Sequence, residues 1–496
     1  MYLFMLIVVA TSVCRGSTVT IQTRLGKMMG LSESNNINGV IYTYNVFKRI
    51  PFAKPPIGDL RFEEPVPFGS WEGTLDATMF GPSCIQPPSM SSNFTQSEDC
   101  LYLNIYVPVG ASALNQKSVM VWIHGGGYIF GEGASYDGSF LSGIGDVIVV
   151  TLNYRLNAFG FLSSADNVII GNYGLWDQKL AIQWVNDNID IFGGNAKSIT
   201  LFGESAGAFS VSLHSLHPQN RGLFQRVIMQ SGTANSIIAT SAIPRLIAQQ
   251  LARELNCSTE LTKDTLKCFK NKSTQEMYKA YMDLPYAERI TFAPVVDGKF
   301  LNDTPSNIIN NRDSPAFELY KSLDIIIGND DAEGSFVLGA LEVVWNNTVN
   351  MKYGIPFDVF CKYIVTPFVK NYFNHNTALI YVICNKYSSK DSLQQGRNVV
   401  DFYGDVIMYT PAVQCLNTHA IRNYYNTKQY QYLAKRRSHY SPSLEQYPWF
   451  QGAGHAAELP YLFPGRNRVG DATRDDIQYA VYLMKYWSNF AKTGYV

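Results

Sequence analysis

Apolar segments that alternate with a helical pattern constrain the fold of this chain more than any other feature. Four segments are predicted to be strands, at 101–107, 118–123, 146–150 and 198–202. Between the last two, apolar residues recur at the spacing of one helix face, at Ala181, Ile182, Val185 and Ile189. Strands that are apolar on both faces need helices on both sides. We therefore expect an α/β fold with a central, mostly parallel, twisted sheet.

The chain shows no sign of a second domain. It has no repeat and no low-complexity linker, and its 496 residues, 46% of them apolar, can bury a large core. Segments 237–293 and 336–440 have more helical patterning and less regularity, which indicates helical insertions over the sheet. We expect one domain over 18–496.

The charge balance excludes one broad class of function. Forty basic side chains offset forty acidic ones, so the formal net charge is zero. Without an overall positive field, binding to nucleic acid is not expected as the main function. Beyond the N-terminus, no segment reaches the ~18 consecutive apolar residues of a membrane span. Function is therefore expected at a local site in a chain without an integral membrane segment.

The N-terminus resembles an export signal. Residues 1–10 are apolar, and small residues follow near a plausible cleavage point. We predict a signal peptide over 1–17 and a secreted product; the alternative is a buried N-terminal strand. Sequons that fit a secreted surface predict glycosylation at Asn93, Asn256, Asn271 and Asn346.

Cysteine spacing fits an oxidising compartment. Cys84 with Cys100, and Cys257 with Cys268, are two close pairs that can each close a short surface loop as a disulfide. Three further cysteines remain outside the signal, Cys361, Cys384 and Cys415. Because their number is odd, at least one of them has no partner within the chain.

A candidate nucleophile lies at the end of the last predicted strand. Gly-Glu-Ser-Ala-Gly at 203–207 follows the strand at 198–202 and precedes a segment that can form a helix. In such an elbow the serine sits on a tight turn, where flanking glycines relieve crowding and leave its hydroxyl exposed. Ser205 is therefore the predicted nucleophile. The alternative is a glycine-rich turn with an incidental serine.

A second glycine-rich turn offers hydrogen-bond donors for an oxyanion. His-Gly-Gly-Gly at 124–127 follows the strand at 118–123. Attack on an ester places negative charge on the carbonyl oxygen, and fixed N–H groups stabilise that charge. We predict donors at Gly126 and Gly127, and a third at Ala206, the residue after the nucleophile.

Several longer motifs resemble one family, the type-B carboxylesterases and cholinesterases of the α/β-hydrolase fold. Besides the elbow, the motifs are Glu-Asp-Cys-Leu-Tyr-Leu-Asn at 98–104, Asn-Tyr-Arg-Leu at 153–156, Gly-Asn-Tyr-Gly-Leu-Trp-Asp-Gln at 171–178 and Phe-Gly-Gly-Asn at 192–195. The resemblance extends from about residue 19 to residue 494. It implies a serine hydrolase that forms an acyl-enzyme on small or medium carboxylic esters, with no cofactor and no metal.

The resemblance also implies the acid and the base of a catalytic triad. Ala-Glu-Gly-Ser-Phe at 332–336 is similar to the loop that carries the family's acid, which implies Glu333; Asp330 and Asp331 are the alternatives. Gly-His-Ala-Ala-Glu at 454–458 is similar to the segment of the base, which implies His455. The other histidines are expected to be structural or on the surface: His124, His214, His217, His375, His419 and His439.

Departures from the family pattern define the alternatives. The loop between Cys84 and Cys100 has no tryptophan, the residue with which cholinesterases bind a quaternary ammonium, so choline esters are not the expected substrates. A non-catalytic, neuroligin-like binding ectodomain is the competing class, and a triacylglycerol lipase is a third reading. Relatives typically continue well past the segment matching 489–494, and we expect this chain to be truncated at its C-terminus.

Overall fold

The computed structural model describes residues 16–37, 39–88, 94–345, 349–373, 376–421, 424–437, 446–465 and 472–496. Residues 1–15 of the predicted signal peptide lie outside these ranges. So do the predicted glycosylation sites Asn93 and Asn346, and the two histidines His375 and His439.

The strands of the described residues form one mixed sheet. They are β1 (Ser17–Gln22), β2 (Lys27–Ile37), β3 (Val40–Pro51), β4 (Thr74–Asp76), β5 (Tyr102–Pro108), β6 (Lys117–Ile123), β7 (Ile148–Leu152), β8 (Gly194–Glu204), β9 (Arg226–Gln230), β10 (Asp324–Asp330) and β11 (Gln429–Ala434). Their spatial order is β1-β2-β3-β5-β7-β6-β8-β9-β10-β11, with β4 beside β2. Pairings from β7 to β11 are parallel, whereas those from β1 to β7 are antiparallel.

Helices connect the strands and cover the sheet. They are α1 (Ser139–Gly145), α2 (Asn157–Phe161), α3 (Tyr173–Asn188), α4 (Ala206–His214), α5 (Pro244–Glu254), α6 (Lys263–Asn271), α7 (Thr274–Asp283), α8 (Tyr286–Arg289), α9 (Pro305–Asn310), α10 (Pro315–Lys321), α11 (Phe336–Trp345), α12 (Phe357–Val359), α13 (Thr366–Tyr372), α14 (Thr377–Tyr387), α15 (Ser392–Gly404), α16 (Thr410–Ala420), α17 (Leu459–Leu462) and α18 (Arg474–Thr493). Within the described residues, the predicted insertion at 237–293 is mainly helical, and so is the one at 336–440, although the latter also contains strand β11. In the part of the chain that the structure describes, no helix combines the length and apolarity that a bilayer crossing needs.

The central strands bury both faces, as their apolar sequence predicts. On β6, Val119, Val121 and Ile123 belong to one core, and Met120 and Trp122 to the core on the opposite face. Successive side chains of a strand point to opposite faces, so a strand that packs on both sides is apolar throughout. The first core contains residues of α3 and α4, and the second contains residues of α1 and α18. The predicted α/β class is therefore confirmed, with an antiparallel half that the sequence pattern did not reveal.

Disulfides close three loops. Both predicted pairs form, Cys84–Cys100 and Cys257–Cys268. A third pair that spacing did not predict, Cys361–Cys384, joins α14 to the π-helical turn at Phe360–Val365. Cys415 is a buried free thiol, in line with the odd number of cysteines.

Candidate active site

The predicted nucleophile lies on a sharp turn between β8 and α4. Ser205 has φ 56° and ψ −123°, which places it in a backbone region that residues with side chains rarely adopt. A Cβ at Gly203 would lie 2.6 Å from the carbonyl oxygen of Ile123, and one at Gly207 only 2.0 Å from it. Only glycine therefore fits at positions 203 and 207. Ser205 is partly exposed, whereas its neighbours in both elements are buried.

The glycine-rich turn at 124–127 packs directly on this elbow. A Cβ at Gly125 would lie 3.2 Å from Cβ of Ser205 and 2.7 Å from the carbonyl oxygen of Glu204. Gly126 and Gly127 have φ of 97° and 61°. Within the described residues, the N–H groups of Gly126, Gly127 and Ala206 donate to no protein acceptor. The described residues thus leave all three predicted donors without a protein acceptor.

Two distant loops bring the predicted acid and base together. Glu333 follows β10 and His455 precedes α17, and the two loops pair through an isolated parallel bridge between Ala332 and Gly454. The backbone N–H of His455 also donates to Oγ of Ser335, at 2.8 Å. The acid and the base are 122 positions apart in sequence, and these contacts next to both side chains bring them together.

Glu333 is buried and fully engaged. Its Oε2 lies 2.7 Å from Nδ1 of His455, and its Oε1 accepts from the backbone N–H of Asp330 at 2.8 Å and from Nδ2 of Asn329 at 3.1 Å. These bonds fix the carboxylate, which in turn holds the imidazole at its Nδ1 atom. When Nδ1 carries the ring proton and its N–H donates a hydrogen bond to Glu333, Nε2 of the neutral ring has a free lone pair, as a general base requires.

The opposite edge of the imidazole, at Nε2, contacts a residue that the sequence analysis did not assign to the site. Nε2 of His455 lies 3.1 Å from Oε1 of Glu204, the residue before the nucleophile. Glu204 is only 3% exposed. Oγ of Ser205 forms no hydrogen bond with any described residue, so in this structure Nε2 faces Glu204 rather than the serine. The turn at Ser205 explains why a periodic strand pattern could not predict where the side chain of Glu204 points.

Burial and the neighbouring charges shift the pKa of His455 in opposite directions. Burial lowers the pKa of His455, but the carboxylates of Glu204 and Glu333 outweigh it, so the net pKa is raised above 6.5. Burial likewise raises the pKa of Glu204, and the nearby imidazole opposes that effect. The ring of Phe336 packs 5.2 Å from the imidazole and helps to shield it from water.

The alternative acids do not contact the ring. Oδ2 of Asp330 accepts from the N–H of Ala457, and Oδ1 of Asp331 accepts from the N–H of Ala453. The alternative histidines that the structure describes are engaged elsewhere: His124 stacks on Tyr154, His214 contacts Gln178 and Asn220, His217 stacks on Phe300, and His419 contacts Gln429 and the carbonyl of Leu323. No set of three acidic, histidine or cysteine side chains among the described residues is placed to hold a metal ion.

Comparison with known proteins finds one family over nearly the whole chain. A family model described as "Carboxylesterase family" matches residues 17–495. The chain is 35% identical to an acetylcholinesterase of Bungarus fasciatus, over 97% of this chain and 79% of that protein. It is 34% identical to a bile salt-activated lipase of Bos taurus, over 96% and 79%. Neuroligin-3 of Mus musculus is 33% identical, over 96% of this chain and 61% of its own length.

Proposed function

The chain belongs to the carboxylesterase family and has its α/β-hydrolase fold, and from that premise we propose that it is a secreted serine hydrolase of carboxylic esters. The observation that carries this proposal is the hydrogen-bonded pair of buried Glu333 and partly exposed His455, next to the strained turn at Ser205. Exported chains commonly contain disulfides, and Asn256 and Asn271 are exposed for glycosylation, which supports the secreted assignment.

In the first half of the proposed reaction, Oγ of Ser205 attacks the ester carbonyl. Nε2 of His455 takes the hydroxyl proton as the O–C bond forms, so the ring has to turn from Glu204 toward the serine. Hydrogen bonds of a catalytic base are often long before substrate binds. The N–H groups of Gly126, Gly127 and Ala206 hold the oxyanion, and Glu333 stabilises the imidazolium. The alcohol leaves with the proton that His455 returns, and an acyl-enzyme remains.

In the second half, water repeats the sequence. His455 takes a proton from the water as it attacks the acyl carbonyl, and the same three amides hold the second oxyanion. Collapse of this intermediate releases the carboxylic acid, and the proton goes back to Oγ of Ser205. Every group in the cycle returns to its starting state, and the atoms of the ester and of one water account for the alcohol and the carboxylic acid released.

Binding without catalysis is the second candidate, and the neuroligin relatives favour it. The filled triad positions favour the enzyme instead. A binding protein has no need for a carboxylate fixed by three hydrogen bonds at 2.7–3.1 Å on an imidazole beside an elbow serine. We therefore keep ester hydrolysis as the main proposal.

Turnover of esters of increasing chain length tests the proposal. We expect the purified full chain to hydrolyse 4-nitrophenyl acetate and butyrate faster than an emulsified long-chain triacylglycerol. Faster turnover of the emulsion would reassign the protein as a lipase. Failure to hydrolyse any of these esters by a folded protein would contradict the hydrolase proposal.

The pH profile should reveal the pair of carboxylates around the base. The base must be neutral to accept a proton, so kcat/KM falls as the pH drops through the raised pKa of His455. Glu204→Gln removes one of the negative charges that raise this pKa. We expect the acid limb of kcat/KM to move to lower pH by about 1 pH unit.

The control for this profile is Glu260→Gln, an exposed glutamate that should leave the limb in place. An acid limb that stays unmoved in Glu204→Gln, or moves to higher pH, would show that the charge of Glu204 does not act on the base.

A further inference from the structure

Two buried carboxyl groups behind the base each have one oxygen without a partner. Asp330 and Glu458 are 0% and 2% exposed. Oδ2 of Asp330 accepts from the N–H of Ala457 at 3.1 Å, and Oε1 of Glu458 accepts from Nε2 of Gln230 at 2.8 Å. Oδ1 of Asp330 and Oε2 of Glu458 find no donor among the described residues. A buried carboxylate oxygen without a donor is costly, so two of them side by side need an explanation.

Asp330, at the end of β10, lies next to the turn that contains Glu458, just before α17. Asp330 binds the N–H of Ala457, the residue just before Glu458, and the side chains of Asp330 and Glu458 are within hydrogen-bonding reach. An ionised carboxylate only accepts hydrogen bonds, so two ionised groups at this distance would repel each other. With one proton between them, one carboxyl group could donate a hydrogen bond to the other.

The surroundings favour such a proton. The titratable groups that face Asp330 are the carboxyls of Glu458 and Glu333 and the phenols of Tyr432, Tyr479 and Tyr409. Glu204 also interacts with the charge of Glu458, and His455, when protonated, is the cation that faces Glu204 and Glu333. Burial, followed by the charges of Glu458 and Glu333, raises the pKa of Asp330 well above its usual range.

Asp330 also connects the segments of the proposed acid and base. Its backbone N–H donates to Oε1 of Glu333 at 2.8 Å, and its side chain holds the N–H two residues after His455. The hydroxyl of Tyr409 in turn donates to the carbonyl oxygen of Asp330. Asp330 therefore helps to hold both the carboxylate of Glu333 and the turn that follows His455.

We propose that Asp330 and Glu458 share one proton at neutral pH, as a buried acid pair that positions the turn carrying His455. Its effect on catalysis rests on the proposed function, whereas the shared proton does not. The pair leaves one negative charge behind the base instead of two. Asp330 is a positioning residue in this scheme, because it touches neither the substrate nor the reacting atoms.

Infrared spectroscopy tests the proton without any ester. At neutral pH we expect a C=O stretching band of a protonated carboxyl group in the native protein. In a difference spectrum against the native protein, Asp330→Asn should lose intensity in this band, whereas Asp331→Asn, the same substitution one residue along, should not. Absence of the band from the native protein, or an unchanged band in Asp330→Asn, would overturn the proposal. Because no turnover is measured, a chain that fails to hydrolyse esters contradicts the proposed function and leaves this test intact.

Kinetics test the positioning role. An asparagine has the shape of a protonated aspartic acid and can donate to Glu458, so Asp330→Asn should keep the acid limb of kcat/KM in place. A limb that moves to lower pH by about 1 unit would show that Asp330 is ionised and would contradict the pair. Asp330→Ala removes both bonds and should lower kcat by about 10-fold or more at unchanged KM. An unchanged kcat in that variant would overturn the positioning role.

Discussion

Ser205→Ala lowers kcat/KM for a soluble ester by about 10⁶-fold, the largest effect we expect from any single substitution in this chain. Removing Oγ removes the atom that forms the acyl-enzyme, while the oxyanion donors at Gly126, Gly127 and Ala206 remain. A residual rate of about 10³-fold over water should therefore persist. The variant should fold, because no described residue receives a hydrogen bond from this hydroxyl. Initial rates with 4-nitrophenyl butyrate and a thermal melt measure both properties.

Ser212→Ala is the matched control for that experiment. Ser212 is a buried serine on α4, seven residues after the nucleophile, which is about 10 Å along the helix axis. Its substitution should leave kcat/KM within a few-fold of the native value. Equal activity of Ser205→Ala and the native protein would mean that another group attacks the ester.

Glu333→Gln has the second-largest expected effect, a loss of about 10⁴-fold in kcat. A glutamine of the same shape can point its NH₂ group at Nδ1 of His455, which would place the ring proton on Nε2. The ring could then no longer accept the proton of Ser205. The variant also loses the negative charge that stabilises the imidazolium. The measurement is kcat at a pH above the raised pKa of His455, where the native ring is neutral.

Asp331→Asn tests whether the loss of kcat is specific to Glu333 or follows from removing any negative charge from this loop. Asp331 binds the N–H of Ala453 through Oδ1, and an asparagine keeps an oxygen for that bond. The control should be nearly as active as the native protein. A larger loss in Asp331→Asn than in Glu333→Gln would contradict the assignment of Glu333 as the acid and would favour Asp331.

The part of the site that is built from one strand and one turn can be predicted from local sequence. The apolar run of β8 and the glycines at 203 and 207 predict the elbow, because a Cβ at either position would collide with the backbone of β6. The three free amides follow from the same kind of reasoning. Glu333 and His455 could not be found in this way, because they meet only through the pairing of two loops far apart in sequence. A resemblance of motifs was needed to single them out.

Other features depend on side-chain directions that no periodicity encodes. Glu204 turns toward the imidazole because the chain reverses at Ser205. The antiparallel edge from β1 to β7 follows from strand order in space rather than from the pattern of any one strand. Cys361 and Cys384 meet because a π-helical turn and α14 lie side by side. In each case long-range packing decides the outcome.

The most direct test of the account is covalent labelling of the nucleophile. A fluorophosphonate should react with the native protein to one adduct per chain, and peptide mass spectrometry should locate that adduct on Ser205. Ser205→Ala should take up no label, and Ser212→Ala should label like the native protein. A folded native chain that takes up no label at Ser205, or a Ser205→Ala variant that still reacts stoichiometrically, would contradict the proposed Ser205–His455–Glu333 triad.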